Sequence, residues 1–159
     1  MMGKVLSNFN NGWAGTPSRS HHNVIASFRN AGGEAIPYGC PVFIWAVGKG
    51  VMPYDDGSVT AENFAGFTVR VPDDAPDGYR DSESAYQEND PVDVLTWGTV
   101  VVKLDGANIR IGDPVYLNPQ TRKLVTVSGQ GCIQLPGVVV RGPADSSGFA
   151  EVTVTQRRM

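Results

Sequence analysis

Two adjacent histidines (His21, His22), two cysteines (Cys40, Cys132) and a run of carboxylates from Asp73 to Asp90 are the residues from which this chain could build chemistry. A zinc site needs converging ligands. The side chains of a His-His pair project differently, and no Cys or carboxylate stands near them at a ligand spacing. The cysteines match no metal or redox spacing and read as two free thiols. A nucleophilic serine or cysteine needs a positioned base. There is no Gly-x-Ser-x-Gly elbow, and both histidines fall in a segment without strand or helix periodicity. The stretch Asp73-Asp74-Ala75-Pro76-Asp77-Gly78 has the outline of a calcium loop. With Gly78 as its sixth position, however, the third is Ala75 and the twelfth Ser84, and neither offers a carboxylate. That leaves either a looser oxygen site or a solvated negative loop. Paired acids could serve a glycosidase, but these lack the apolar setting that raises a carboxyl pKa. No Gly-x₄-Gly-Lys phosphate cradle occurs. The residues point away from an enzyme, and the expected cofactor and metal complement is none.

The elements around these residues read as all-β. The chain has 159 residues, 41% hydrophobic and 18% charged, with 19 glycines and 11 prolines punctuating short apolar runs. The charged share is below the usual ~25%, which suits a protein covered by partners and equally an ordinary β-domain. The net charge is −3, and Arg157-Arg158 is the one basic cluster, so no direct nucleic-acid partner is expected. No run approaches the ~20 apolar residues of a membrane helix, and no signal-like stretch opens the chain, so it reads as soluble with no membrane partner. Residues 1–22 read as an extended N-terminal arm, rich in Asn, Ser and Gly, in which Trp13 either docks on a neighbour or folds back on its own domain. Residues 23–159 read as a single β-domain with an acidic loop at 72–90, where Arg80 is the one base. Strands are expected at Val24–Arg29, Val42–Val47 (continuously apolar, hence central and buried), Phe67–Val71, Val92–Thr96, Thr99–Leu104, Asp113–Leu117, Lys123–Val127, Gly137–Arg141 and Phe149–Thr155. Trp97-Gly98 is expected to be a tight turn, and Ser82–Glu88 a helical turn or two. The spacing predicts a β-sandwich or barrel.

One pattern occurs twice. Gly33-x-x-Ile36-x-x-Gly39-x-Pro41-Val42 aligns with Gly106-x-x-Ile109-x-x-Gly112-x-Pro114-Val115, 73 residues on. Ala65-Gly66-Phe67-Thr68-Val69-Arg70 aligns with Pro136-Gly137-Val138-Val139-Val140-Arg141, and Asn89-Asp90-Pro91-Val92-Asp93-Val94 is a weaker third echo between them. Ile36 and Ile109 should plug the core. Gly39 and Gly112 should turn the chain with positive φ, and Pro41 and Pro114 should launch strands. The repetition predicts two pseudo-symmetric halves.

In the order of these elements the chain resembles the capsid cement, or decoration, proteins of tailed bacteriophages. The likeness is carried by Gly33–Val42, Ala65–Arg70, Tyr86–Val94, Gly112–Leu117 and Phe149–Thr155, and covers about residues 24–155. Asn89 departs from the glycine usual before the central Pro-Val, and Cys40 stands where a polar residue is common. The resemblance implies a structural protein made in the host cytoplasm that binds the outer surface of the phage head. There it would bridge neighbouring major capsid proteins and stabilise the shell against internal DNA pressure, as a homo-oligomer, a trimer ahead of a dimer. The contact residues expected on that basis are Trp13 and Arg19 in the arm, Asp73, Asp74, Asp77, Arg80 and Tyr86 in the acidic stretch, and Arg157 and Arg158 at the C-terminus. The competing reading is another virion β-module, a tail or baseplate domain that binds glycans.

Overall fold

The computed structural model describes residues 11, 13–18, 23–55, 57–70, 85–129 and 131–155. Their strands, in chain order, are β1 (Pro17–Ser18), β2 (Val24–Arg29), β3 (Ile36–Pro37), β4 (Pro41–Trp45), β5 (Gly50–Met52), β6 (Phe64–Thr68), β7 (Ala85–Tyr86), β8 (Pro91–Asp105), β9 (Pro114–Asn118), β10 (Lys123–Val125), β11 (Ile133–Val140) and β12 (Phe149–Val154). A single 3₁₀ turn, Ala61–Asn63, is the helical element among the described residues.

Strand β8 organises the molecule. Its first part pairs with β2 on one edge and β6 on the other, and its second part pairs with β12 on one edge and β1 and β10 on the other. In the second half the order β10-β9-β11-β12-β8 closes on itself, because β10 returns parallel to β8 with Leu124 opposite Leu104. The first half has the same order, β5-β4-β6-β8-β2. There only a single parallel bridge, Asn30 to Val51, joins its ends.

The repeat in the sequence is a repeat in hydrogen bonds. Gly39 N–H donates to Thr68 O (2.9 Å) and Thr68 N–H to Cys40 O (3.0 Å). In the second half Gly112 N–H donates to Val140 O (2.8 Å) and Val140 N–H to Asp113 O (2.9 Å). The third echo makes the same clip, Asn89 N–H to Asn30 O and Asn30 N–H to Asp90 O, both 2.9 Å. All three turn residues lie in the left-handed region, with φ of 71°, 92° and 67°. Glycine reaches that region without a Cβ penalty, and asparagine is the side chain that most readily replaces it. Each clip ends at a proline that starts a strand: Pro41, Pro114 and Pro91.

One hydrophobic cluster spans both halves. Phe43, Phe64, Phe67 and Leu95 of the first meet Val100, Val102, Leu135 and Val152 of the second. A smaller cluster within the first half gathers Ile36, Val42, Val51, Tyr86, Val92 and Val94. Ile36 is fully buried and Ile109 is partly buried against the large cluster, as the repeat requires. The expected alternation in the last strand holds, with Ala150, Val152 and Val154 buried.

Several boundaries differ from expectation. Trp97-Gly98 is not a turn but the middle of β8. Gly98 sits at φ +131° because the Asn23 side chain packs where a Cβ would be, and Asn23 Oδ1 accepts from Thr99 N–H (3.1 Å). The chain changes partners there without reversing. The apolar run at 42–47 ends as a strand at Trp45, and Val47 is 83% exposed in the turn to β5. That strand lies next to the edge strand, so it is not central. Strand β6 begins three residues earlier than expected and β11 four, while Ala85–Tyr86 is extended and pairs with β3 where a helical turn was expected.

Candidate functional site

The described part of the N-terminal arm folds back onto the domain as a strap across the joint between the halves. Gly15 N–H donates to Val101 O (2.8 Å), Val101 N–H to Thr16 O (3.0 Å), and Pro17–Ser18 continue along β8. On its other side Gly15 O accepts from Arg70 N–H (2.8 Å). Gly15 stands at φ +84°, and a Cβ there would lie 2.9 Å from both Arg70 N and Gly39 N. The strap can pass only as glycine. Upstream, Asn11 is pinned to the second half. Its side chain donates to Pro143 O (3.0 Å) and Phe149 O (2.8 Å), and its N–H to Asp145 Oδ2 (3.1 Å). Asp145, 9% exposed, uses its other oxygen to accept from Ser147 and Phe149 N–H.

Along this strap runs a line of rings and one cation. Trp13 meets Phe149 edge-on at 6.3 Å. The Arg70 guanidinium lies 6.0 Å from the Trp13 ring and 4.8 Å from that of Tyr38. Tyr38 in turn meets Tyr86 edge-on at 5.3 Å. Arg70 Nε donates to Ala14 O (3.1 Å), so the same side chain holds the strap backbone. Cation–π contacts at exposed sites contribute about 0.5–1 kcal/mol each, enough to fix rotamers. Trp13 stays 50% exposed. Tyr86 is buried and donates its hydroxyl to Val69 O; burial pushes its phenol up to about 12, so it remains a donor. The strap therefore presents half of an indole on a braced support. That support lies at the root of residues 71–84, which leave after Arg70 and return at Ala85.

A cleft of about 370 Å³ lies beside the line, between the halves. Tyr38, Pro53, Tyr54, Leu117 and Leu124 give it apolar walls, with Lys103, Lys123, Arg122 and Asp105 among its lining. Arg122 crosses the joint to Glu34 (3.1 Å). Cys40 also lines the cleft, and burial pushes its thiol up to about 12, which favours the protonated thiol over the thiolate. Cys40 and Cys132 are unbonded. Among the described residues no three His, Cys, Asp or Glu side chains gather as metal ligands, and no helix is long and apolar enough to cross a membrane.

Of the contact residues expected from sequence, the structure brings Trp13 and Tyr86 into one line, Trp13 at the surface and Tyr86 inside. Arg19, Asp73, Asp74, Asp77, Arg80, Arg157 and Arg158 lie outside the described residues. Sequence reading missed Arg70, Tyr38, Phe149, Asn11 and Asp145. Only Arg70 carried a signal, as the last residue of an echo shared with Arg141.

Residues 3–155 match the family model described as structural cement protein (E217 gp24/Pam3 gp6). No curated protein matches the chain. Among solved structures, a chain from the capsid of Myoviridae phage XM1 shares the fold, with a TM-score of 0.66 and 17% identity over 96% of this chain and 93% of that one.

Proposed function

We propose, on the premise that this chain belongs to the phage structural cement protein family, that it binds the outer surface of the assembled head and bridges neighbouring major capsid proteins. Membership makes it a structural component of the phage capsid and not an enzyme. The finer reading is one of mass action. A protein that binds the shell, and not loose subunits, shifts the equilibrium toward the shell by its binding free energy. A homo-oligomer, a trimer ahead of a dimer, would engage several subunits at once, and linked contacts multiply avidity. Each contact need bury only about 800 Å² per partner. Bridges of this kind would resist the lateral separation that packed DNA imposes.

The observation that carries this reading is the braced, half-exposed Trp13. Aromatic anchors dominate interface energetics, and one already ordered loses little entropy on docking. The charges of Arg19, Asp73, Asp74, Asp77, Arg80, Arg157 and Arg158 would supply ionic contacts with the capsid or the next protomer, and Tyr86 would support the surface from beneath. The test adds purified protein to expanded shells lacking it and follows occupancy by electron cryomicroscopy and shell melting. Regular density on the outer surface and a raised shell melting temperature are expected. Trp13→Ala should weaken binding by about 30-fold, the equivalent of a hot spot of about 2 kcal/mol. Bare shells at saturating protein would reject the reading, and unchanged occupancy with Trp13→Ala would remove Trp13 as the anchor.

A further inference from the structure

The two halves differ at the outer edge of one strand. In the second half, Val101 turns its backbone groups away from β12, because the residue opposite it, Glu151, accepts from Arg141 N–H on its far side (2.8 Å). The strap satisfies both groups of Val101, through Gly15 N–H and Thr16 O. The corresponding residue of the first half is Ser27. Opposite it, Asp93 accepts from Val69 N–H on its far side, also at 2.8 Å. By the alternation of an antiparallel ladder, Ser27 N–H and C=O then face outward from β8. No segment among the described residues meets them. Farther along this edge, β5 does take over, with Ala31 N–H donating to Val51 O (3.0 Å). Val101 is fully buried, whereas Ser27 is exposed and Ile25 is 46% exposed.

We infer that the outer edge of β2 at Ile25–Ser27 receives an extended strand from a second copy of this chain, namely the residues that precede Asn11. An unpaired strand edge is a template for pairing, and proteins that keep one free usually place Lys, Pro or a bulge there. β2 reads Val-Ile-Ala-Ser-Phe-Arg and carries no Lys or Pro, and its one register shift falls at Val24–Ile25, so the ladder from Ile25 to Arg29 is regular and Ser27 lies on its unguarded part. The occupant follows from the equivalent edge, which this chain's own N-terminal segment covers. Asn11 is pinned at Asp145 and Phe149, in the half remote from β2. The ten residues before it reach about 35 Å when extended, at about 3.3–3.6 Å each. They include Val5 and Leu6, and an extended strand would place one of these two apolar side chains on the face of Ile25. Main-chain bonds would give affinity and the alternating side chains register. Such a contact joins the arm of one copy to the β2 of the next, a head-to-tail arrangement that closes into a ring when the rotation allows. The inference deepens the oligomer part of the proposed function and needs no shell, so its failure leaves capsid binding untouched.

The test measures the mass of the purified full chain by sedimentation equilibrium together with amide exchange at Ser27. The expected mass is a multiple of 17.0 kDa. Ser27→Pro and removal of residues 1–10 should each reduce it to a single copy while circular dichroism and melting stay unchanged. The outward Ser27 N–H is not part of the β2–β8 ladder, so proline is tolerated there. Should Ser27→Pro misfold, Ile25→Lys replaces it with the same expected loss. A peptide of residues 1–10 added to the truncated chain should slow Ser27 exchange at least tenfold. A single-copy full chain, or a folded variant that keeps its multimeric mass, would overturn the inference. So would Ser27 protection that is independent of concentration, which assigns the edge to the chain's own arm. Protection that arises only on shells would assign it to a capsid strand and likewise overturn it.

Discussion

In the second half of the molecule Leu124 and Val125 run beside Leu104 and Asp105 and close a ring of five strands. In the first half the equivalent strands meet at one bridge, Asn30 to Val51, and no described segment pairs with the edge beyond it. The turns, clips and strand order are otherwise the same. Closure therefore does not come from the repeated motif. Among the described residues it goes with what lies along the outer edge of the last-ordered strand, where the second half has the strap and a two-residue parallel pairing and the first has the single Asn30–Val51 bridge. On the second half the strap already takes the edge at Val101, so among the described residues it is the β2 edge of the first half that is left for attachment in the plane of a sheet. The closed half and the strap provide the rigid support from which Trp13 projects.

The largest effect is expected where the halves are inseparable. Phe67 is fully buried in β6 of the first half but belongs to the cluster that holds Val100 and Leu135 of the second. Phe67→Ala should cost about 3–5 kcal/mol, a drop of roughly 10 °C in Tm for a domain of this size. Unfolding should remain a single calorimetric transition, with exchange protection lost in the ring as much as in the open half. Two transitions, with the ring unaffected, would mean that the halves are independent domains sharing a strand only in passing.

A smaller effect separates the three copies of the turn. In two of them the residue before the proline is an aspartate whose side chain accepts the N–H three residues back: Arg110 N–H to Asp113 Oδ2 and Gln87 N–H to Asp90 Oδ2, both 2.8 Å. In the remaining copy that earlier residue is Pro37, which has no N–H. A carboxylate there would have no such donor, and the position is Cys40. Thr68 fills the role instead, its hydroxyl donating to Pro37 O (2.7 Å) and accepting from Cys40 N–H (3.0 Å). Cys40→Asp should then destabilise by about 1–3 kcal/mol through burial of a carboxylate without that donor. Asp113→Ala should lose about 1 kcal/mol, the value of one such bond. Urea unfolding of both variants checks the difference, and a neutral Cys40→Asp would discard the account based on Pro37.

These copies also mark what the residues alone could reveal. Turn and strand starts were legible because Gly39, Pro41, Gly112 and Pro114 act on their own backbone, where neighbours in sequence are the cause. Trp97-Gly98 misled for the same reason. A glycine that admits the Asn23 side chain in mid-strand has the same letters as one that reverses the chain. Repetition suggested two halves but not which would close, since closure depends on the register of β10 against β8. The surface was the least legible. Asn11 with Phe149, and Arg70 with Trp13, are pairs brought together by the strap's path, and no local pattern encodes that path. Trp13 was visible as an isolated aromatic, but its brace was not.

The smallest effect tests whether the third turn is the same device as the other two. Asn89 holds φ +67° where the other copies have glycine, and its side-chain oxygen accepts from Arg29 Nη1 (2.8 Å). Asn89→Gly should relieve the left-handed strain and lose an exposed hydrogen bond, so stability should stay within about 0.5 kcal/mol of the parent. Asn89→Ala keeps the strain and loses the bond, and should cost about 1–2 kcal/mol. Urea unfolding of the pair separates conformation from contact. Equal losses would make the bond to Arg29 the reason for asparagine. A near-neutral glycine beside a costly alanine would make the backbone angle the shared requirement of all three turns, met here by the one side chain that can also hold the end of β2.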